Sequence, residues 1–92
     1  MSETKESRYD LYRLAKKQEA NGRYDEALES YAQALRVSAD YAHAWFYKSR
    51  LHLNLHQYKE ARSCAKKALE LAPSWEKHIN SIIKNCDFQL KS

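Results

Sequence analysis

Glycine and proline occur once each in the chain, as Gly22 and Pro73. A β-rich fold needs several tight turns, and turns lean on those two residues. Their scarcity argues against strands and for helices joined by short links. Cysteine is nearly as scarce: Cys64 and Cys86 lie 22 positions apart, with no CxxC spacing. A short secreted domain carries more cysteines, evenly paired. Both are therefore read as reduced packing residues, with a bridge between them as the lesser alternative. No run of about 18 apolar residues occurs, so no membrane span is expected. The opening Met1-Ser2-Glu3-Thr4-Lys5-Glu6-Ser7 is polar and lacks the apolar stretch of a signal peptide. A cytoplasmic protein is the expectation.

What is present fits one small globular domain. The 92 residues are 43% hydrophobic and 30% charged, a balance unlike that of a disordered chain. A chain this short buries roughly 60–65% of its unfolded surface, so its core is modest. The 16 Lys+Arg and 12 Asp+Glu leave a formal net charge of +4, unevenly spread. Residues 1–41 hold 7 basic and 8 acidic side chains; residues 42–92 hold 9 and 4. The second half can attract acidic partners, although a solvated basic face is the simpler reading.

A shift of 34 residues superposes the chain on itself. Tyr24/Tyr58, Glu26/Glu60, Ala27/Ala61, Ala34/Ala68 and Leu35/Leu69 then coincide, all within one twelve-residue stretch. Upstream, Tyr12 falls on Phe46 and Lys16 on Arg50. Helical periodicity runs through both copies. Tyr9, Leu11, Tyr12, Leu14 and Ala15 form one stripe; Ala27, Leu28, Tyr31, Ala34 and Leu35 form the next. Asn21-Gly22 reads as a helix stop able to take positive φ, and His56 stands where the first copy has Gly22. Trp45, Tyr47, Leu51 and Leu55 continue the pattern, followed by Ala61, Ala65, Ala68, Leu69 and Leu71. Asp40 is the expected N-cap of the third helix. Pro73 ends the second copy, and Ser74 is expected to cap a last helix with Ile79, Ile82, Ile83 and Cys86. Five helices are predicted, near 4–20, 24–37, 41–54, 58–71 and 75–89. Links this short force neighbours antiparallel. The alanines allow close helix approach, with Tyr24 and Tyr58 filling the turns beside them.

This pattern resembles the tetratricopeptide repeat, a 34-residue helix–turn–helix with W-x2-L-G-x2-Y, then A-x3-F, then P. The second copy reads Trp45-x2-Lys48-Ser49-x2-His52, Ala61-x3-Ala65 and Pro73. The first reads Leu11-x2-Leu14-Ala15-x2-Gln18, Ala27-x3-Tyr31 and Ala39. Ile79-x2-Ile82-Ile83-x2-Cys86 starts a third copy. Lys48 stands where leucine is usual and His52 where tyrosine is usual. Either those departures loosen the helix, or the Lys48 stem lies along the surface with its charge in water. The resemblance implies an all-α, right-handed superhelix: a polar segment 1–7, units 8–41 and 42–75, and a capping helix with tail over 76–92. It implies a non-enzymatic protein-interaction module, with the first helix of each pair lining a concave face. Two units and a cap lie near the lower limit for a continuous core.

Little else points to chemistry. There is no Gly-rich phosphate loop, GxSxG or HExxH, and no cofactor or metal is expected. His52 and His56 are four apart, but no third ligand stands at metal spacing. His43 and His78 are lone. Carboxylates are spread over outer helix faces. Arg62, Lys66 and Lys67 form a small basic patch, thinner than the stripe a phosphate-tracking protein shows. Nucleic acid is therefore a weak candidate partner.

Helical geometry gives the expected lining of the groove. On the first helix it is Tyr9, Tyr12, Arg13 and Lys16; on the third, His43, Phe46, Tyr47 and Arg50. The fifth adds Lys77, Asn80, Ser81 and Lys84. Lys16, Arg50 and Lys84 recur with the period and are expected in one basic row beside the aromatics. Cations and aromatic rings together suit a partner peptide with acidic or carboxylate groups. In one subclass of the family, which clamps the carboxyl terminus of heat-shock chaperones, the clamp positions correspond to Tyr12, Lys16, Tyr47, Lys77 and Ser81 here. Only Lys77 agrees, so that ligand is not carried over. The alternative role is self-assembly through an apolar last helix, with Ile79, Ile82, Ile83, Phe88 and Leu90 as the contact.

Overall fold

A computed structural model describes residues 4–91, with side chains from Ser7 onward. The helices are α1 (Thr4–Ala20), α2 (Tyr24–Val37), α3 (Ala42–Asn54), α4 (Tyr58–Leu71) and α5 (Glu76–Lys91), with a 3-10 turn at Pro73–Trp75 before the last. Residues 1–3 of the expected segment 1–7 lie outside the described residues, and residues 4–7 belong to α1. α1 packs on α2, α3 on α4 and α4 on α5, while α2 meets α3 and α3 meets α5. The result is an all-α repeat of two helical hairpins closed by a fifth helix.

The two hairpin turns match hydrogen bond for hydrogen bond across 34 residues. Gly22 N–H donates to Glu19 C=O at 3.0 Å and Arg23 N–H to Gln18 C=O at 2.8 Å. His56 N–H donates to Leu53 C=O at 3.0 Å and Gln57 N–H to His52 C=O at 2.8 Å. This closure needs a left-handed residue, and both turns supply one: Gly22 at φ 78° and His56 at φ 62°. Only Gly22 does so without a Cβ penalty.

Two expected caps are not formed. α3 starts after Tyr41, which makes no side-chain cap bond. The Asp40 carboxylate instead accepts from the Ser38 hydroxyl at 2.7 Å and faces Arg8 at 3.6 Å. Ser74 lies inside the 3-10 turn, one residue ahead of the position that would cap α5. Pro73 opens that turn, where its fixed φ fits and its missing N–H costs no bond. Trp75 N–H closes it on Ala72 C=O at 2.9 Å.

The core is built in two clusters joined at Trp45. Ala27 and Ala34 on α2, and Ala61, Ala65 and Ala68 on α4, have no exposed surface. Small side chains at these contacts let helices approach closely while larger neighbours fill the gaps. Tyr31, Leu51 and Ile79 are the largest apolar side chains buried completely. The Tyr31 hydroxyl is satisfied by Glu19 Oε1 at 2.9 Å. The turn tyrosines fill less than expected: Tyr24 is 44% exposed, and Tyr58 is half-buried with its hydroxyl on His56 Nδ1. Cys64 and Cys86 are free and buried.

Candidate interaction groove

α1, α3 and α5 share one face of the molecule, and their side chains line its recesses. Residues at three- and four-residue steps project from one side of a helix, so α1 carries Tyr9, Tyr12, Arg13 and Lys16 together, and of these Lys16 lines a recess. Tyr12 is the hub. Its ring lies 5.5 Å from that of Tyr41, 5.8 Å from Tyr47, 6.0 Å from His43 and 6.2 Å from Tyr9. Burial first, and then the neighbouring Tyr47 and Tyr41, push its pKa up to about 12, so the phenol keeps its proton. On α3, Phe46 meets Tyr47 edge-on at 5.3 Å and Trp75 at 5.9 Å, while His43 stands edge-on to Trp75 at 4.9 Å.

The cations lie on this aromatic floor. Lys16 Nζ is 3.8 Å from the Tyr47 ring centre and 5.8 Å from that of Tyr12. Arg50 Cζ is 5.4 Å from Tyr47 and 6.0 Å from Phe46. Arg13 Cζ sits 5.7 Å from Tyr9. Ring faces hold such cations electrostatically without neutralising them. Among the described residues, the salt bridges join other cations, namely Arg8, Arg23, Arg36, Arg62 and Lys67.

Three recesses run along this face. The central one, about 840 Å³, lies between α3 and the Trp75–Ile82 stretch. Phe46, Leu53, Trp75 and Ile82 give it apolar walls, and Arg50 and Lys77 stand at its rim. A second recess of about 410 Å³ holds Lys16, Glu19 and Tyr24, and shares Tyr47, Arg50 and Asn54 with the first. A third of about 400 Å³ holds Glu76, Asn80 and Lys84, and shares Lys77 and Ser81 with the first. Lys16 and Arg50 thus border one recess, while Lys84 belongs to its neighbour beyond Lys77. Trp75, Leu53, Asn54, His78 and Ile82 also line the central recess. Sequence periodicity did not nominate them. Trp75 stands four residues before Ile79, the spacing that continues the α5 stripe, but the structure places it in the 3-10 turn ahead of that helix.

The other sequence features resolve into packing. His52 is nearly buried; its Nδ1 pairs with Gln57 Oε1 at 2.7 Å and its Nε2 lies 3.5 Å from Lys48 Nζ. Burial, and then the Lys48 charge, lower its pKa against the opposing hydrogen bond from Gln57. His56 bonds Tyr58 instead, so the two histidines do not converge. No cluster of three or more His, Cys, Asp or Glu side chains able to hold a metal occurs among the described residues. Lys48 is half-buried, with Nζ 3.8 Å from Cys64 Sγ. Its stem packs along the structure, as the second reading has it, but its ammonium turns toward Cys64 and His52 instead of standing clear in water. The basic patch on α4 is largely compensated: Arg62 Nε binds Asp87 Oδ1 at 2.6 Å, and Lys67 faces Glu70 at 3.5 Å.

A model of the tetratricopeptide repeat matches residues 19–83. The chain belongs to the tetratricopeptide repeat family. No curated protein matches it significantly. Tetratricopeptide repeats are protein–protein interaction modules, and the helix–turn–helix pairs here are two such repeats followed by a closing helix. No helix among the described residues is long and apolar enough to cross a membrane.

Proposed function

We propose that this chain is a non-enzymatic adaptor of the cytoplasm that holds an acidic partner segment on the face shared by α1, α3 and α5. One observation carries the reading. Lys16 and Arg50 lie on the Tyr47 ring and border one recess, with no salt-bridge partner among the described residues. Cations presented on rigid aromatic surface give a partner both contact area and a charge that fixes register. Tyr9, Tyr12, Arg13, His43, Phe46, Lys77, Asn80 and Lys84 complete the proposed contact face.

The test is titration of a labelled glutamate-rich peptide into wild type and Arg50→Glu, followed by fluorescence anisotropy. Arg50 is exposed, so the variant keeps its helix content and melting temperature. Its affinity for the peptide is expected to fall at least ~10-fold. Equal binding by a folded Arg50→Glu variant removes the acidic-groove reading.

Self-assembly through α5 has a narrower basis than its sequence suggested. Ile79 and Ile82 are buried and Ile83 packs against the same cluster. Phe88 and Leu90 remain exposed, at 69% and 44%. Sedimentation at micromolar concentration reports on that alternative directly.

A further inference from the structure

The order of the three recesses specifies the partner more closely than charge alone. The central recess has aromatic and aliphatic walls and no carboxylate in its lining. Each flanking recess is about half its size and carries a lysine of its own, Lys16 on one side and Lys84 on the other. Arg50 and Lys77 stand at the two junctions, each lining the central recess and one neighbour. The flanks also hold Glu19, engaged by the Tyr31 hydroxyl, and Glu76, so each flank has two cations against one carboxylate. An all-acidic strand would leave the large apolar centre wet. An all-apolar strand would desolvate Arg50 and Lys77 with nothing to pair them, which is costly.

We propose that the central recess seats one bulky apolar side chain of the partner, phenylalanine or leucine in size, with acidic residues on both sides of it in the partner's sequence. The anchor enters the recess lined by Phe46, Leu53, Trp75 and Ile82, against the Phe46 and Trp75 rings that already touch edge-on. The preceding and following carboxylates meet Arg50 with Lys16, and Lys77 with Lys84. This is a motif internal to a chain and needs no free terminus. The inference rests on the acidic-groove reading above and adds the anchor and the two-sided charge.

Three short peptides, acetylated and amidated so that no terminal charge remains, test it: a phenylalanine flanked by glutamates, the same peptide with alanine for phenylalanine, and the phenylalanine flanked by lysines. None contains tryptophan, so the emission is the protein's own, from Trp75 in the recess and Trp45 against the core. The first peptide is expected to bind and shift the tryptophan emission. The alanine peptide is expected to bind at least ~10-fold more weakly, since it leaves the apolar walls of the recess without a large apolar side chain to cover them. The lysine peptide is expected not to bind. Lys77→Glu, at an exposed position, is expected to weaken the first peptide ~10-fold while leaving the melting curve in place.

Equal affinity for the phenylalanine and alanine peptides overturns the anchor but leaves acidic capture standing. Unchanged binding by Lys77→Glu overturns the two-sided charge. Failure of both glutamate peptides to bind wild type overturns this inference and the acidic-groove reading together.

Discussion

In the first hairpin Tyr31 fills the space between α1 and α2, completely buried, with its hydroxyl on Glu19. One period later the same places hold Ala65 and Leu53. The second hairpin has no large side chain of its own at that point. Its cluster is completed by Trp45 and Phe46 from α3 and by Ile79, Ile82 and Cys86 from α5. The polar contacts diverge in the same way. Gln18 accepts from Ser30 at 2.7 Å in the first hairpin; one period on, His52 and Cys64 occupy those positions, and both turn to Lys48. The first hairpin's cluster is closed by its own Tyr31 together with Ala44 and Leu51 of α3, whereas the second hairpin's cluster is closed by α5. A repeated backbone does not require a repeated core, provided that the total volume is matched and each polar group has a partner.

The largest test of this contrast is a pair of cavities. Tyr31→Ala is expected to cost about 3–4 kcal/mol, and Ile79→Ala about 3 kcal/mol, in urea-monitored unfolding. Tyr31→Phe keeps the volume and loses only the Glu19 bond, so about 1 kcal/mol is expected. If Ile79→Ala were nearly neutral, the second hairpin would be independent of α5 and the contrast would fail.

Acid separates the hairpins by a different route. Burial holds the His52 pKa below its ordinary 6.5. As pH falls, the unfolded chain therefore takes up this proton before the folded one, and stability declines below about pH 6.5. Above that pH the histidine is neutral in both states and its contribution is complete. Melting temperatures of wild type and His52→Gln, measured at intervals from about pH 8 to pH 5, are expected to diverge only at the acid end, with wild type losing more. Parallel curves would mean that His52 is as well solvated in the fold as out of it.

The turns give a smaller effect of opposite signs. Gly22→Ala is expected to destabilise by about 1 kcal/mol, because a Cβ there meets no atom and the cost is purely that of positive φ. His56→Gly relieves the same strain and is expected to stabilise by somewhat less than 1 kcal/mol, offset by glycine's greater freedom when unfolded. Thermal melts of both variants check the equivalence of the two turns. Smallest of all, Asp87→Ala removes the tie from Arg62 on α4 to α5. Both side chains are about two-fifths exposed, so about 0.5 kcal/mol is expected. A loss several times larger would show that this tie, and not the apolar contact, secures α5.

Much of this was legible because periodicity constrains what each helix must bury. The repeated alanines marked the contact lines, and the alignment of His56 with Gly22 marked a left-handed turn residue before any φ was known. Local cap chemistry read less well. Asp40 and Ser74 are both good cap residues, yet Asp40 bonds Ser38, and Pro73 starts its turn one step ahead of Ser74. Side-chain oxygens compete among several nearby donors, and sequence spacing does not say which one wins. The groove was legible in part for the same reason as the helices: Lys16 and Arg50 follow the period. Its apolar centre was not, because helical spacing does not say that Trp75, held in a 3-10 turn ahead of α5, turns its ring to His43 and Phe46.

The sequence alone determined five antiparallel helices, their turns and the alanine seams between them, since those follow from interactions along one helix or across one short link. Only the tertiary structure decided that α5 completes the second hairpin's core and that Lys48 lies beside His52 and Cys64. It alone placed an apolar recess between two cationic ones. These features depend on which side chains from distant segments meet, and that is set by packing in three dimensions.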